Sequence, residues 1–526
     1  MWLTAEINTL KLDLLYLERT SSKGPDAITN GTSGSEESER TKLLEALAVN
    51  AIRVYGLSRA HTAKVHEKAM HPGDQACLVA VDALLKLGPL SKKISATTLQ
   101  ALCLLDFVLA DNKHNFLART QFTGLSQALG LHTLASQAYQ ALDVKEVLHE
   151  TMSPLLFLRI GSTRVPIAKS FDSSDAMTKA LEFYNKSLEK IPDYQAVALD
   201  HANYSQVIHM NQFREQLYLS PTRIMLLFER KRIARLLHDQ LPGGTVQHAE
   251  LELADELRAA YNGSAEVPKR AQPDRHPGPA LTKQYTEWLM LTDLAFELAR
   301  SKQLEKTHVE TYLPVFKRLR SMLNERGTAE VLTDAELTAL KVADCVFSVV
   351  LYLVGLPESE DVPTVDAALQ SLQSVLITSI GGYTKKKQLG ILPTWTDYHE
   401  GYLKLELCQV LDSLSDKLEK CKLKPTNPKI DNKVVQESAK PIKIGAKECF
   451  ELVQQRFSQY RKDVTGYGNA QLLHMAMGGD EGETEEAVAK AVYEVMGVQN
   501  VKRFLQNYVL SATASIDALL SVKLRR

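Results

Sequence analysis

The sequence predicts an all-α fold, an α-solenoid of stacked helix pairs. Three observations carry this expectation. Apolar residues recur at helical spacing through most of the 526 residues, as in Leu102, Leu105, Val108 and Leu109, or Leu226, Ile233, Leu236 and Leu237. Alternating β-branched runs bounded by hairpin turns are scarce. A pairing of a small residue with an aromatic one helical turn later occurs at Ala135 and Tyr139 and again at Ala180 and Tyr184. With 44% apolar residues the chain has enough material for a large core.

Residues 1–20 read as an isolated helix. Glu6, Lys11 and Asp13 interrupt its apolar residues, so it lacks the continuous hydrophobic stretch of a signal peptide, and a cytoplasmic chain is expected. On that expectation the sequons at Asn30, Asn185, Asn203 and Asn262 are chance. The Gly-, Ser- and Glu-rich residues 21–41 read as a disordered linker. A helical-repeat segment spans 42–240, and within it Gly130 reads as a helix C-terminal cap. Ala180, Tyr184, Ser187 and Pro192 have the A-x3-Y-x2-S-x4-P spacing of the second helix of a tetratricopeptide repeat. Small residues let helices approach, the aromatic fills the space between repeats, and proline is expected to end the unit. Ala135, Tyr139 and Leu142 reproduce the first part of that pattern, but no steady period of about 34 residues is sustained, so ordinary core packing stays open.

Residues 241–280 read as a Pro/Gly-rich loop, with disorder expected near Pro268 to Ala280. A second helical segment follows at 281–419. Its most apolar stretch, Val342 to Pro357, contains Asp344 and falls short of the ~20 residues that cross a bilayer, so it reads as a buried helix. A basic linker covers 420–443, and 444–526 forms a C-terminal helical segment interrupted by the acidic Gly478 to Glu486.

No catalytic, cofactor-binding or metal-ligating residue emerges from the motifs. An acetyl-coenzyme A loop of the form Q/R-x-x-G-x-G/A needs consecutive free N–H groups and small residues. Gln127-x-x-Gly130 places His132 at the last position, and Arg53-x-x-Gly56 places Ser58 there. Arg275 to Ala280 matches formally, but Pro277 and Pro279 delete the donors. His66 and His71 in HEKAMH are five apart and fall on different helix faces, unlike a zinc-protease pair. The six cysteines, Cys77, Cys103, Cys345, Cys408, Cys421 and Cys449, lack zinc-site spacing and read as reduced and mostly structural.

A net charge of -1 excludes a globally basic nucleic-acid binder, and neither a DNA nor a membrane partner is expected. Local basic clusters occur at Arg230, Lys231 and Arg232 with Arg235, at Lys317 and Arg318 with Arg320, at Lys385, Lys386 and Lys387, and through 420–443. Such runs are solvated faces or contacts to an anionic partner such as ribosomal RNA. The Lys385 to Lys387 cluster follows Gly381-Gly382 and is expected on an exposed loop, which makes it the most accessible candidate.

Between Ala110 and Arg159 the sequence resembles the non-catalytic, auxiliary subunit of the N-terminal acetyltransferase B (NatB) complex, the Mdm-type family. The residues that carry the likeness are Lys113-His114-Asn115-Phe116, Leu129-Gly130-Leu131, Tyr139, Leu142 to Glu146, and Glu150-Thr151. It continues through Ala180 to Leu199 and through Asn203 to Ser220, with Tyr204-Ser205 and Phe213-Arg214-Glu215, and fades after Leu241. The resemblance implies a tetratricopeptide-like superhelix that wraps a separate catalytic subunit of the GNAT fold. It further implies that this partner uses acetyl-coenzyme A to acetylate nascent chains beginning Met-Asp, Met-Glu, Met-Asn or Met-Gln, and that the auxiliary subunit orders it and brings it to the ribosome. No cofactor is expected on this chain itself. Family members begin with further repeats, which this chain is expected to lack. An unrelated helical-repeat adaptor and a stand-alone helical enzyme are the competing readings of the residues alone.

Overall fold

The computed structural model describes residues 2–21, 33–61, 71–88, 94–163, 173–238, 278–301, 304–356, 364–385, 392–420, 432–477 and 483–525, and no strand occurs among them. The chain divides into two units. The first comprises Met1–Asp143, Gln388–Trp395 and Tyr460–Ser515, and the second Val144–Lys387, Thr396–Gln459 and Ile516–Arg526.

In the first unit α1 (Trp2–Ser21), α2 (Ser33–His61), α3 (Asp74–Leu87), α4 (Ala96–Asp111), α5 (Phe116–Ala128) and α6 (His132–Gln140) each pack on the next. Side chains start the helices where the sequence supplies a cap: the Ser95 hydroxyl accepts from Thr98 N–H, and Asn115 accepts from Ala118 N–H. Asn112 and Asn115 also donate to the buried Asp74 carboxylate at 3.2 and 3.0 Å, tying the α4–α5 corner to the start of α3. The expected isolation of the first helix is corrected here. Ile7, Leu10, Leu14 and Leu17 recur at helical spacing and are buried, and α1 lies against α2 and α3. Helix α2 begins at Ser33, inside the expected linker 21–41; residues 22–32 lie outside the described ones.

The second unit holds α7 (Leu148–Phe157), a 3₁₀ turn at Ile160–Ser162, α8 (Ser173–Asp200), α9 (Tyr204–Tyr218), α10 (Pro221–Leu237), α11 (Lys283–Arg300), α12 (Lys306–Thr311), α13 (Leu313–Asn324), α14 (Thr328–Val331), α15 (Asp334–Leu353) and α16 (Val365–Lys385). Most of α17 (Trp395–Lys420) and the first part of α18 (Asn432–Ala476) also belong to it. Helix α8 pairs with α9, α10 packs on α7, α8 and α11, α11 packs on α15, and α15 packs on α13 and α16. Ser220 caps α10 with Pro221 at its first position, and Thr333 with Glu336 forms a reciprocal capping box on α15. The apolar stretch around Asp344 is the buried face of α15, and no helix among the described residues is long and apolar enough to cross a membrane. Helix α18 begins at Asn432, inside the expected basic linker, and Lys443 there is paired with Asp416 at 2.7 Å and Glu419 at 2.6 Å.

Helices from the end of the chain complete the first unit. Helix α19 (Glu483–Met496) lies on α2 and α4, and a Cβ on Gly56 of α2 would come within 2.8 Å of the Val495 side chain. Gln100 of α4 donates to the Ala476 carbonyl of α18 at 3.2 Å. Phe504 of α20 (Val498–Leu520) meets Phe122 of α5 edge to face, and the Leu134 N–H of α6 donates to the Ser511 hydroxyl at 3.3 Å. The helical repeat therefore includes contacts between its first and last pairs as well as between chain neighbours.

Candidate functional site

Gly130 ends α5 with φ 71°, a left-handed conformation that favours glycine, while its N–H donates to Gln127 O and Leu131 N–H donates to Ser126 O at 2.8 Å. This pair of bonds uses the N–H groups that a pyrophosphate loop would need. In α6, Ala135 and Tyr139 are buried in the first unit; in α8, Ala180 and Tyr184 are buried in the second. The Tyr184 hydroxyl donates to the Glu150 carboxylate at 2.6 Å, where the Ser220 hydroxyl donates at 2.7 Å, and Thr222 donates to the Glu150 carbonyl at 2.9 Å. One tyrosine thus joins α8 to α7 and to the start of α10. Pro192 does not end a helix, which corrects the expectation drawn from repeat spacing. It sits inside the continuous α8, where it removes one backbone bond while the buried Ile191 and Ala198 anchor its neighbours. The Arg53 to Ser58 match lies within α2, and residues 275–277 of the third match lie outside the described ones.

The cluster Arg230, Lys231 and Arg232 departs most from expectation. Helical periodicity turns Arg232 and Arg235 inward with Phe228 and Glu229, and both arginines are buried. Arg232 donates to Glu406 at 3.0 Å; Arg235 donates to Glu406 at 2.8 Å, to Glu297 at 3.1 Å and to Asp293. Lys231 is 3.7 Å from Asp293, and Arg230 is half-buried. Arg232 is therefore a core ion-pair residue of α10 rather than a contact for an anionic partner. Burial favours the neutral form of Glu406, but Arg232 and Arg235 more than offset this and hold its carboxyl below the usual range. Burial prevails at Glu229 and Asp293, whose carboxyls are pushed up.

A second buried group adjoins the first. Arg159, at φ 63°, donates to Glu336 at 2.6 Å and to the Pro279 carbonyl at 2.6 Å, and its guanidinium lies 4.2 Å from the Tyr285 ring centre. Glu229 accepts from Gly161 N–H at 2.6 Å and from the Tyr285 hydroxyl at 2.7 Å. His399 lies 2.6 Å from the Ser162 hydroxyl, 2.9 Å from the Thr333 hydroxyl and 3.5 Å from Glu336. Burial pushes its imidazole down to about 3, so the ring is neutral at neutral pH. Ser162, His399 and Glu336 carry groups found in hydrolases, but all are within 1% of complete burial, out of a substrate's reach. They bind the 3₁₀ turn, α15 and α17 together.

The Gly381-Gly382 pair lies inside α16, so the expected exposed loop is corrected to a helix end; Lys385 is its last residue, and Lys386 and Lys387 lie outside the described residues. One of the exposed apolar surfaces among the described residues lies on the α8–α9 hairpin. Tyr194, Val197 and Leu199 of α8, and Tyr204 and Ile208 of α9, are each more than half exposed. On α9 only Leu217 is fully buried. Sequence reading missed this face because its apolar spacing matches that of a core helix. The signal available was the mixture of Tyr204, Ile208 and Phe213 with polar neighbours over the whole of α9.

The model of a family described as "N-acetyltransferase B complex (NatB) non catalytic subunit" matches residues 3–277, more than half of the chain. The chain belongs to this family. Subunit arm1 of the N-terminal acetyltransferase B complex of Schizosaccharomyces pombe is 24% identical over 277 residues, covering 51% of this chain and 33% of the relative. Subunit MDM20 of the Saccharomyces cerevisiae complex is 28% identical over 142 residues, covering 27% of this chain and 18% of the relative. The chain thus matches a third or less of the length of these curated NatB relatives. Among solved structures, a chain of the NatB acetyltransferase complex bound to CoA and MES aligns with a TM-score of 0.51 at 13% identity, covering 95% of this chain and 64% of that one. That likeness supports the all-α helical-repeat fold. As a member of the non-catalytic family, the chain is not the acetyl-transferring enzyme of NatB.

Proposed function

We propose that the chain is a scaffold that docks and orders the GNAT-fold catalytic subunit of NatB, using the exposed α8–α9 hairpin as part of the contact face. The family match over residues 3–277 carries this reading, and the hairpin lies within it. Its five large apolar side chains offer a surface that a partner can cover, while buried ion pairs from Arg232 and Arg235 to Glu406 tie α10 to α17. In this reading the partner binds acetyl-coenzyme A and acetylates Met-Asp, Met-Glu, Met-Asn and Met-Gln N-termini of nascent chains at the ribosome in the cytoplasm. This chain supplies order and position. Lys385, Lys386 and Lys387, with the half-buried Arg230, are the proposed anionic-partner contacts. Acetyl transfer to a Met-Asp peptide by the chain, by the catalytic subunit and by the two together tests the proposal. Activity should rise only on mixing; robust transfer by this chain alone would overturn it.

A further inference from the structure

Helix α20 ends at Leu520, and residues 521–525 continue from it in the second unit without regular secondary structure. Side chains from three helices hold them. Gln454 of α18 donates to the Leu519 carbonyl at 3.4 Å and to the Val522 carbonyl at 3.2 Å. Gln409 of α17 donates to the Lys523 carbonyl at 2.6 Å, and the same carbonyl accepts from Nε2 of His238, at the end of α10, at 3.0 Å. Arg525 closes the far end: its guanidinium donates to both carboxylate oxygens of Asp412, at 2.6 and 2.5 Å, and to Asp416 at 3.4 Å. Val522 is buried while Ser521 and Lys523 beside it are exposed, the alternation of an extended segment. Gly401 of α17 leaves room for this approach, since a Cβ there would lie 3.2 Å from the Leu519 side chain and 2.9 Å from that of Phe457.

We propose that α17, α18 and the end of α10 form a peptide-binding groove for an extended Val-x-x-Arg segment, and that residues 521–525 are a releasable strap that fills it in cis. Recognition has two parts. Gln454, Gln409 and His238 read main-chain carbonyls whatever side chains the segment carries, whereas the Val522 pocket and the Asp412–Asp416 pair, which matches the fork of an arginine, select its sequence. The groove groups are held independently of the strap. The Gln409 amide spends its other hydrogen on the Leu236 carbonyl at 3.0 Å, and Arg300 donates to Nδ1 of His238 at 2.9 Å, which leaves the ring proton on Nε2 and aimed into the groove. Asp412 is itself buried, so its carboxylate stays in place when Arg525 departs. The strap is held less firmly than its groove. Past Val522 no backbone–backbone hydrogen bond fixes it among the described residues, and the Arg525 side chain is 53% exposed, so its ion pair is screened by solvent and opens first.

The test uses the full chain carrying Val522→Asp with Arg525→Glu, which releases the strap, and a fluorescein-labelled peptide Ser-Val-Lys-Leu-Arg-Arg as probe. With its circular dichroism unchanged, the released chain should bind one peptide, read by fluorescence anisotropy, at least about tenfold more tightly than wild type, whose groove is filled. Changing the peptide's valine to aspartate or its first arginine to alanine should weaken binding at least about tenfold, and so should Asp412→Asn in the released chain. Amide exchange around His238 and Gln409 should quicken on release and slow again with peptide, while α4 stays as in wild type. Arg525→Ala alters only a half-exposed side chain, so it keeps the fold if the double variant does not, and it too should bind the peptide more tightly than wild type. A folded, strap-released chain that ignores the peptide, equal binding by wild type, or binding indifferent to the peptide's valine and arginine would each overturn the proposal.

Discussion

The Tyr184 hydroxyl and the Glu150 carboxylate show how much one buried residue can position. Tyr184→Phe keeps the ring and removes a hydrogen bond to a charged group, and should cost about 1.5–3 kcal/mol in denaturant unfolding. Tyr184→Ala should cost about 3–5 kcal/mol because the α8 core also loses its packing. Glu406→Ala leaves Arg232 and Arg235 buried without their shared carboxylate, so a loss of about 3–5 kcal/mol is expected, larger than for removing any exposed pair. His399 yields a pH dependence. Its imidazole is held well below its value in an unfolded chain, so folding disfavours the proton; its contribution is present above about pH 6.5 and is lost as pH falls toward 3. Relative to His399→Gln, which does not titrate, wild-type stability should decline with a slope approaching about 1.4 kcal/mol per pH unit below pH 6. Parallel curves for the two proteins would remove His399 from that role. The left-handed turn at Gly130 and the burial of Tyr184 arise from features local in sequence, a helix end and a helical face. The burial of Arg232 does not, because its carboxylate partner lies 174 residues away.

Among the elements, the α8–α9 hairpin contrasts with its surroundings. Helix α10 is tied to α7, α8 and α11, whereas α9 leaves most of its length to solvent. Tyr204→Glu with Ile208→Glu alters two exposed side chains, so the free energy of denaturant unfolding should stay within about 0.5 kcal/mol of wild type. Under the scaffold reading the same pair should weaken capture of the catalytic subunit by at least about tenfold, read by titration calorimetry. Unchanged affinity would place the contact elsewhere. The existence and type of these helices were readable from periodicity, but their ends were not. Pro192 reads as a break, yet it lies within a helix whose Ile191 and Ala198 are buried, and the Gly381-Gly382 pair lies within the last turns of α16, beyond the buried Leu372 and Leu376. Local propensity costs about 1–3 kcal/mol at such positions, less than the packing of a long amphipathic helix contributes.

At the scale of the whole molecule, family membership and the helical-repeat fold were legible in the residues from Ala110 to Ser220. The return of the last helices to the first ones was not, because no spacing rule reports contacts across hundreds of residues. Changing Lys385, Lys386 and Lys387 together to Glu should reduce co-sedimentation with ribosomes and flatten its salt dependence while leaving peptide acetylation by the assembled pair intact. Intact co-sedimentation at every salt concentration would assign that cluster to solvent. The contact between α4 and the end of α18 also sets a timetable for biosynthesis. Gln100 waits for a partner 376 residues downstream, which at about 5–20 residues per second is roughly 20–75 s of translation. Throughout that interval the faces of α2, α4 and α5 that later receive α19 and α20 stay uncovered, surfaces on which a chaperone that holds nascent chains could act.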